Sequence, residues 1–130
     1  MSVQLGPFFT SDEFGKELTD QDLQNYFLLC TMVLNYVRNE YGVVKITSAK
    51  RSAEKNAAVG GVETSQHVRG EAVDFVCPYS FGKGGHPKVF HFITDVLKFS
   101  GEVLMYKKKG HLHVGLPRYN VHPDHLILDK

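Results

Sequence analysis

Several side chains in this sequence have the types and the spacing of a zinc site. His67 and Asp74 stand seven residues apart, with Gly70 between them. A catalytic zinc ion usually takes three ligands from His, Asp or Glu, with a water molecule in the fourth position. We expect Gly70 to allow a tight turn that directs both side chains to one point. Asp74 lies between Val73 and Phe75, and a buried carboxylate needs a compensating partner, which a metal ion would supply.

A third ligand is expected from a segment near the end of the chain, His111-Leu112-His113-Val114. The two histidines alternate with apolar residues, so on a strand both imidazoles share one face. Taken alone, an aspartate in a strand or an H-x-H pattern is a weak indication in a chain with seven histidines. The combination of the two segments is what favours a metal site.

Length and composition are those of one compact domain. The chain has 130 residues and 42% hydrophobic content, which suits a single core. The net charge is +1, so a general attraction to nucleic acid is not indicated, and the basic run 107–109 is expected to be a solvated turn. Neither a secretory signal nor an apolar run of about 20 residues is present. We therefore expect a monomeric protein that is made in the cytoplasm, does not bind nucleic acid and has no membrane-spanning segment.

The two cysteines, Cys30 and Cys77, lie among apolar residues and outside any C-x-x-C pair. This setting favours buried free thiols in a reducing cytoplasm, while a disulfide between them stays open.

The elements that must position the candidate ligands can be predicted from periodicity. Apolar residues recur every three or four positions between Asp20 and Tyr41, which predicts one long helix that ends at Gly42. The other predicted helices are 52–59 and 87–99, and the predicted strands are 43–47, 72–76, 103–106 and 111–116, the last two forming a hairpin. The tail from Pro117 is predicted to be irregular. This order indicates an α+β domain with a small, mostly antiparallel sheet.

The motif residues resemble a known family of zinc peptidases. Arg51 is followed by N-A-x-x-G-G, ending at Gly61, then by S-x-H-x-x-G-x-A-x-D from Ser65 to Asp74, and finally by x-H-V at His113. The D-alanyl-D-alanine carboxypeptidase family, with its L-alanyl-D-glutamate endopeptidases, shows these pieces in this order. The resemblance covers residues 8–116 and leaves 117–130 as a tail of one domain spanning 1–130.

The resemblance implies a fold of the hedgehog type with zinc on the sheet, and hydrolysis of stem peptides of bacterial peptidoglycan at D-Ala-D-Ala or between L-Ala and D-Glu. Phage members of the family act as lysins, so phage- or virus-type lysis or cell-wall entry is expected. The implied zinc ligands are His67, Asp74 and His113. The implied substrate-binding residues are Arg51, which would orient a carbonyl or carboxylate, together with Ser65 and Gln66.

One position departs from the family pattern. Many members carry Asp or Glu three residues before the last ligand, where this chain has Gly110. His111 is the expected substitute as catalytic proton shuttle, because histidine titrates near neutral pH. Glu102 is a more distant candidate and is expected to be a surface residue at the start of a strand. The missing acid also leaves open a zinc-stabilised binding module without catalysis, although Arg51 favours an enzyme.

Overall fold

The computed structural model describes residues 2–60, 65–80, 85–118 and 122–130. Gly61 of the N-A-x-x-G-G motif and residues 119–121 of the tail lie outside this part of the chain. The elements are a 3-10 turn at Ser11–Glu13, helices α1 (Asp20–Leu29), α2 (Asn35–Tyr41), α3 (Ala53–Ala58) and α4 (Gly85–His91), π-helical turns at Cys30–Leu34 and Phe92–Val96, and strands β1 (Lys45–Ser48), β2 (Ala72–Val76), β3 (Glu102–Tyr106), β4 (His111–Gly115) and β5 (His125–Leu128).

The predicted long helix is confirmed as α1, a π-helical turn and α2 in direct succession. It begins with a reciprocal cap, in which the Thr19 hydroxyl accepts from the Asp22 amide at 3.1 Å and the Asp22 carboxylate accepts from the Thr19 amide at 3.0 Å. Its fully buried side chains are Tyr26, Leu29, Cys30, Val33, Leu34 and Val37, whereas Phe27 is 47% exposed. The hydroxyl of Tyr26 donates to the carbonyl of Ala72 at 3.2 Å, which ties this helix to the central sheet.

The five strands form one sheet in the order β1-β2-β4-β3-β5. All neighbours are antiparallel except β3 and β5, which are parallel. The predicted α+β class with a mostly antiparallel sheet is confirmed, and so is the hairpin of β3 and β4. Because side chains alternate between the two faces of a strand, the sheet separates an apolar face from a polar one.

The apolar face packs against the helices and forms the core. It carries Val73 and Phe75 of β2, Leu112 and Val114 of β4, and Val103 and Met105 of β3, all buried in one cluster with the apolar stripe of the long helix. Cys30 and Cys77 belong to this cluster as buried free thiols, as expected. In the described part of the chain, no helix is long and apolar enough to cross a membrane.

The tail contains a strand, so the prediction of an irregular tail is wrong. β5 lies at the sheet edge and pairs with β3 in the register Val103↔His125. Leu126 and Ile127 remain 45% and 42% exposed. A four-residue strand with neither face fully buried shows no polar–apolar alternation, and its apolar run is too short to identify a strand from sequence.

Candidate metal centre

The polar face of the sheet forms the floor of an open cleft of about 450 Å³. His67, Asp74 and His113 lie at its base and are all buried. One ligand atom from each of these residues lies within 4.8 Å of the other two. The structure thus brings together the three side chains that the sequence predicts as metal ligands.

Strand register places Asp74 beside His113. The two residues are direct partners across the antiparallel pair β2–β4, so both side chains point to the same face. Asp74 Oδ1 lies 2.8 Å from His113 Nδ1 and 3.2 Å from His67 Nε2. A single carboxylate oxygen is therefore shared by both imidazoles.

His67 enters the cleft from the loop before β2, which is hydrogen-bonded to Arg51 and packs closely against Asp22. The backbone amide of Arg51 donates to the carbonyl of His67 at 3.0 Å. Gly70 has φ +66°, and a Cβ there would overlap Oδ1 of Asp22. Asp22 in turn accepts from Lys50 Nζ at 3.1 Å. The predicted tight turn at Gly70 is confirmed, and it lies against the first turn of α1.

Each of the two histidines turns one ring nitrogen toward Asp74 and the other toward a different acceptor. Nδ1 of His67 lies 2.8 Å from the carbonyl oxygen of Ala49, which only accepts, so Nδ1 carries the proton and Nε2 is free to bind. Nε2 of His113 lies 2.9 Å from Glu102 Oε1, and a proton on Nε2 would leave the Nδ1 lone pair available to a metal ion. Two nitrogen lone pairs and a carboxylate at one point form a donor set that fits zinc.

Without a metal, this cluster would hold protons. Burial alone would raise the pKa of Asp74, but the hydrogen bonds and positive charges of His113 and His67 hold it well below its usual range. Burial would lower the pKa of His113, but its contacts with Asp74 and Glu102 outweigh that and raise it to about 9. A metal ion must displace a proton to bind here, so metal affinity falls as pH is lowered.

Arg51 forms part of the cleft wall and is held by neighbouring side chains. Its guanidinium donates to Ser48 Oγ at 3.2 Å, to Asn56 Oδ1 at 3.3 Å and to Asp74 Oδ2 at 3.5 Å. A planar donor fork fixed in this way can bind a carbonyl or carboxylate oxygen with little loss of side-chain entropy.

Ser65 and Gln66, the two residues before His67, differ in whether their side chains can still donate a hydrogen bond to a ligand. The Ser65 hydroxyl oxygen accepts from the His67 amide at 3.2 Å, so its hydrogen can be donated to a ligand. The Gln66 amide nitrogen donates to the Leu116 carbonyl at 3.0 Å. Both line the cleft, but Gln66 also joins the His67 loop to the end of β4, and a Cβ at Gly115 would overlap its Oε1.

His111 lies on the same face of β4 as His113, as predicted, and lines the cleft. Its Nε2 lies 3.7 Å from Asp74 Oδ2. Its ring stacks on Tyr106, with 4.6 Å between ring centroids. Burial lowers the pKa of His111, only partly opposed by the charge of Asp74. The imidazole is therefore neutral at neutral pH and able to accept a proton.

Glu102 begins β3, as predicted, but its partly exposed side chain lines the cleft instead of lying on the open surface. Its side chain is 33% exposed and contacts His113, which lowers the pKa of Glu102 despite partial burial. The signal was present in the predicted hairpin: Glu102 pairs with Gly115, two residues from His113 and on the same face. Counting the register back from the turn would have found it.

Comparison with known proteins agrees with this geometry. A search of curated proteins gave no match for the chain. A family model described as Peptidase M15 matches residues 9–115, which is nearly the range over which the motifs resemble zinc peptidases. The match includes every residue that lines the cleft except Arg118. The chain belongs to the Peptidase M15 family.

Proposed function

We propose that this protein is a zinc metallopeptidase that hydrolyses stem peptides of bacterial peptidoglycan, as a D-Ala-D-Ala carboxypeptidase or an L-Ala-D-Glu endopeptidase. The observation that carries the proposal is the convergence of His67, Asp74 and His113 at the base of an open cleft. Membership of a peptidase family supports it. Zinc held by these three side chains would act as a Lewis acid toward the scissile carbonyl and would make a water molecule more acidic.

The other cleft residues then have distinct tasks. His111 accepts the proton of the attacking water at Nε2 and delivers it to the leaving amine. Its stacking on Tyr106 keeps the ring beside the ligand cluster. Arg51 orients the substrate carbonyl or carboxylate, and the Ser65 hydroxyl donates a hydrogen bond to the peptide.

The charge of the cleft wall favours an anionic peptide. Arg51, Lys109 and Arg118 line the cleft, and the ammonium of Lys109 lies 5.4 Å from the ring centroid of Tyr106. Of the described lining residues, two are acidic: Asp74 contacts both histidines and Arg51, and Glu102 contacts His113. The remaining positive charge suits the free carboxylates of stem peptides.

A second candidate is a zinc-stabilised binding module without catalysis. It is favoured by Gly110, which offers no acidic side chain as a general base at that position. It is opposed by the neutral imidazole of His111 and by the fixed guanidinium of Arg51, because a purely structural zinc site needs neither.

The test is mass spectrometry of purified peptidoglycan incubated with the zinc-loaded protein. Release of D-Ala would identify a carboxypeptidase, and new L-Ala carboxyl ends would identify an endopeptidase. An unchanged digest from protein that contains zinc would favour the binding module.

For the biological setting we propose phage- or virus-type lysis or cell-wall entry, with the protein acting as a monomer on the wall. Lysis of bacteria when the chain is delivered to the wall would support that setting.

A further inference from the structure

Glu102 and His113 form a contact that the proposed peptide hydrolysis does not use. The Glu102 Oε1 atom lies 2.9 Å from His113 Nε2. His113 is 7% exposed, and within the described chain its Nε2 has no well-directed hydrogen-bond partner. The Glu102 carboxylate is thus the anionic group that faces an otherwise unsatisfied buried nitrogen.

The backbone places this carboxylate by strand register. Glu102 lies opposite Gly115, while His113 lies opposite Leu104, so Glu102 reaches His113 along the diagonal of the β3–β4 pair. Gly115 has no side chain to stand between them. Diagonal neighbours on one face are within reach of long side chains, so this contact follows from the sheet itself and needs no loop rearrangement.

We infer that Glu102 is a positioning residue: through Nε2 it fixes the ring and the tautomer of His113 so that Nδ1 faces the metal. This inference rests on the proposed zinc site. Histidines that bind a metal commonly donate their other ring nitrogen to a carboxylate or carbonyl, which orients the ring and raises its basicity. His67 has such a partner in the Ala49 carbonyl, and Glu102 supplies the equivalent partner to His113.

The geometry distinguishes this role from that of a general base. Glu102 contacts Nε2, whereas Nδ1 on the other side of the ring contacts Asp74. The imidazole therefore stands between the Glu102 carboxylate and the three ligand atoms. His111 is on the Asp74 side, with Nε2 3.7 Å from Oδ2, and is better placed for proton transfer.

The experiment measures the zinc Kd of the full chain by chelator competition, for the wild-type protein and for Glu102→Ala, Glu102→Gln and Glu71→Gln. We expect Glu102→Ala to weaken zinc binding by about 10–100-fold. Glu102→Gln keeps an acceptor for Nε2–H and should recover most of this loss. Glu71 is the matched control, because it is a partly buried acid directly before β2 that contacts Arg69 and Arg118. Glu71→Gln should therefore bind zinc like the wild-type protein.

The visible absorption spectrum of bound Co²⁺ reports on the geometry of the metal ligands, so it would not change if Glu102 contributed only to the stability of the fold. The visible absorption of the Co²⁺-loaded protein should change in Glu102→Ala and stay unchanged in Glu71→Gln. Zinc affinity in Glu102→Ala within twofold of wild type, with an unchanged cobalt spectrum, would overturn the inference while leaving the zinc site intact. Failure of the wild-type protein to bind zinc would instead refute the proposed function, and the inference with it.

Discussion

Replacing Gly70 with alanine should cost this protein more stability than its backbone conformation alone explains. Gly70 has φ +66°, and an L-residue in this region costs about 1–2 kcal/mol. The new Cβ would also overlap Asp22 Oδ1. The Asp22 carboxylate accepts from the Thr19 amide as half of the reciprocal cap of α1, and also from Lys50; loss of a helix cap costs about 0.5–2 kcal/mol. We therefore expect a total loss of about 1.5–4 kcal/mol in the free energy of unfolding.

The assay is urea denaturation of the metal-free protein, with Gly110→Ala as the matched control. Gly110 has φ +78°, and no described atom lies within 4 Å of a Cβ built there. The control should lose only the backbone contribution. Since the Gly70 turn also carries His67, Gly70→Ala should weaken zinc binding, whereas Gly110→Ala should not.

A double variant isolates the overlap from the backbone strain. If the overlap is real, Gly70→Ala combined with Asp22→Ala should lose less stability than the sum of the two single variants, because the second change removes the obstructing carboxylate. Equal losses in Gly70→Ala and Gly110→Ala, together with strict additivity in the double variant, would refute the reasoning.

The remaining predictions concern the ligands, the thiols and the helix contact. His113→Ala should lose both zinc and peptide hydrolysis, whereas His111→Ala should keep zinc and lose hydrolysis, as measured by metal analysis and peptidoglycan digestion. Burial raises the pKa of Cys30 and of Cys77 from 9.0 to about 12, so both thiols should react with Ellman's reagent only after unfolding. Because the unfolded thiols ionise near pH 9 and the folded ones near pH 12, their contribution to stability should be complete below pH 9 and fall as pH rises toward 12, which urea denaturation in this range measures. Tyr26→Phe removes the hydrogen bond to β2 and should cost about 0.5–1.5 kcal/mol in the same assay.

Each of these predictions has an outcome that contradicts it. Full hydrolysis by the His111→Ala variant would exclude His111 as the proton shuttle. Loss of zinc binding in the same variant would show that His111 is a metal ligand. Rapid thiol labelling of the folded protein would contradict the burial of the cysteines. Tyr36, 52% exposed, provides the control Tyr36→Phe, and an equal loss in both tyrosine variants would exclude a special contribution from the Tyr26 hydroxyl.

The sequence predicted those features that a repeating pattern encodes. The long helix could be predicted because its apolar residues recur every three or four positions, and β2 and β4 because small or polar residues alternate with apolar ones along them. β5 escaped prediction because its exposed apolar residues follow no such rule. Glu102 escaped because a single carboxylate at the start of a strand looks the same whether it meets solvent or His113. Only the cross-strand register, a property of two segments together, distinguishes these cases.

The same limit applies to the surroundings of Arg51. The motif indicated an arginine in the site, but its hydrogen bonds to Ser48, Asn56 and Asp74 join three different elements. Which of these partners orient the guanidinium depends on distances of a few ångströms between loop, helix and strand. Such distances cannot be read from residue spacing.

Gly115 carries a consequence for how this chain can vary among its relatives. Its missing side chain leaves room for Gln66 on one side and faces Glu102 on the neighbouring strand. A methyl group at this position would displace the Gln66 amide, on the face across which Glu102 reaches His113. Positions 66, 102 and 115 should therefore change together during evolution: a lineage that acquires a side chain at 115 is expected to carry a smaller residue at 66 and to find another partner for the last ligand histidine.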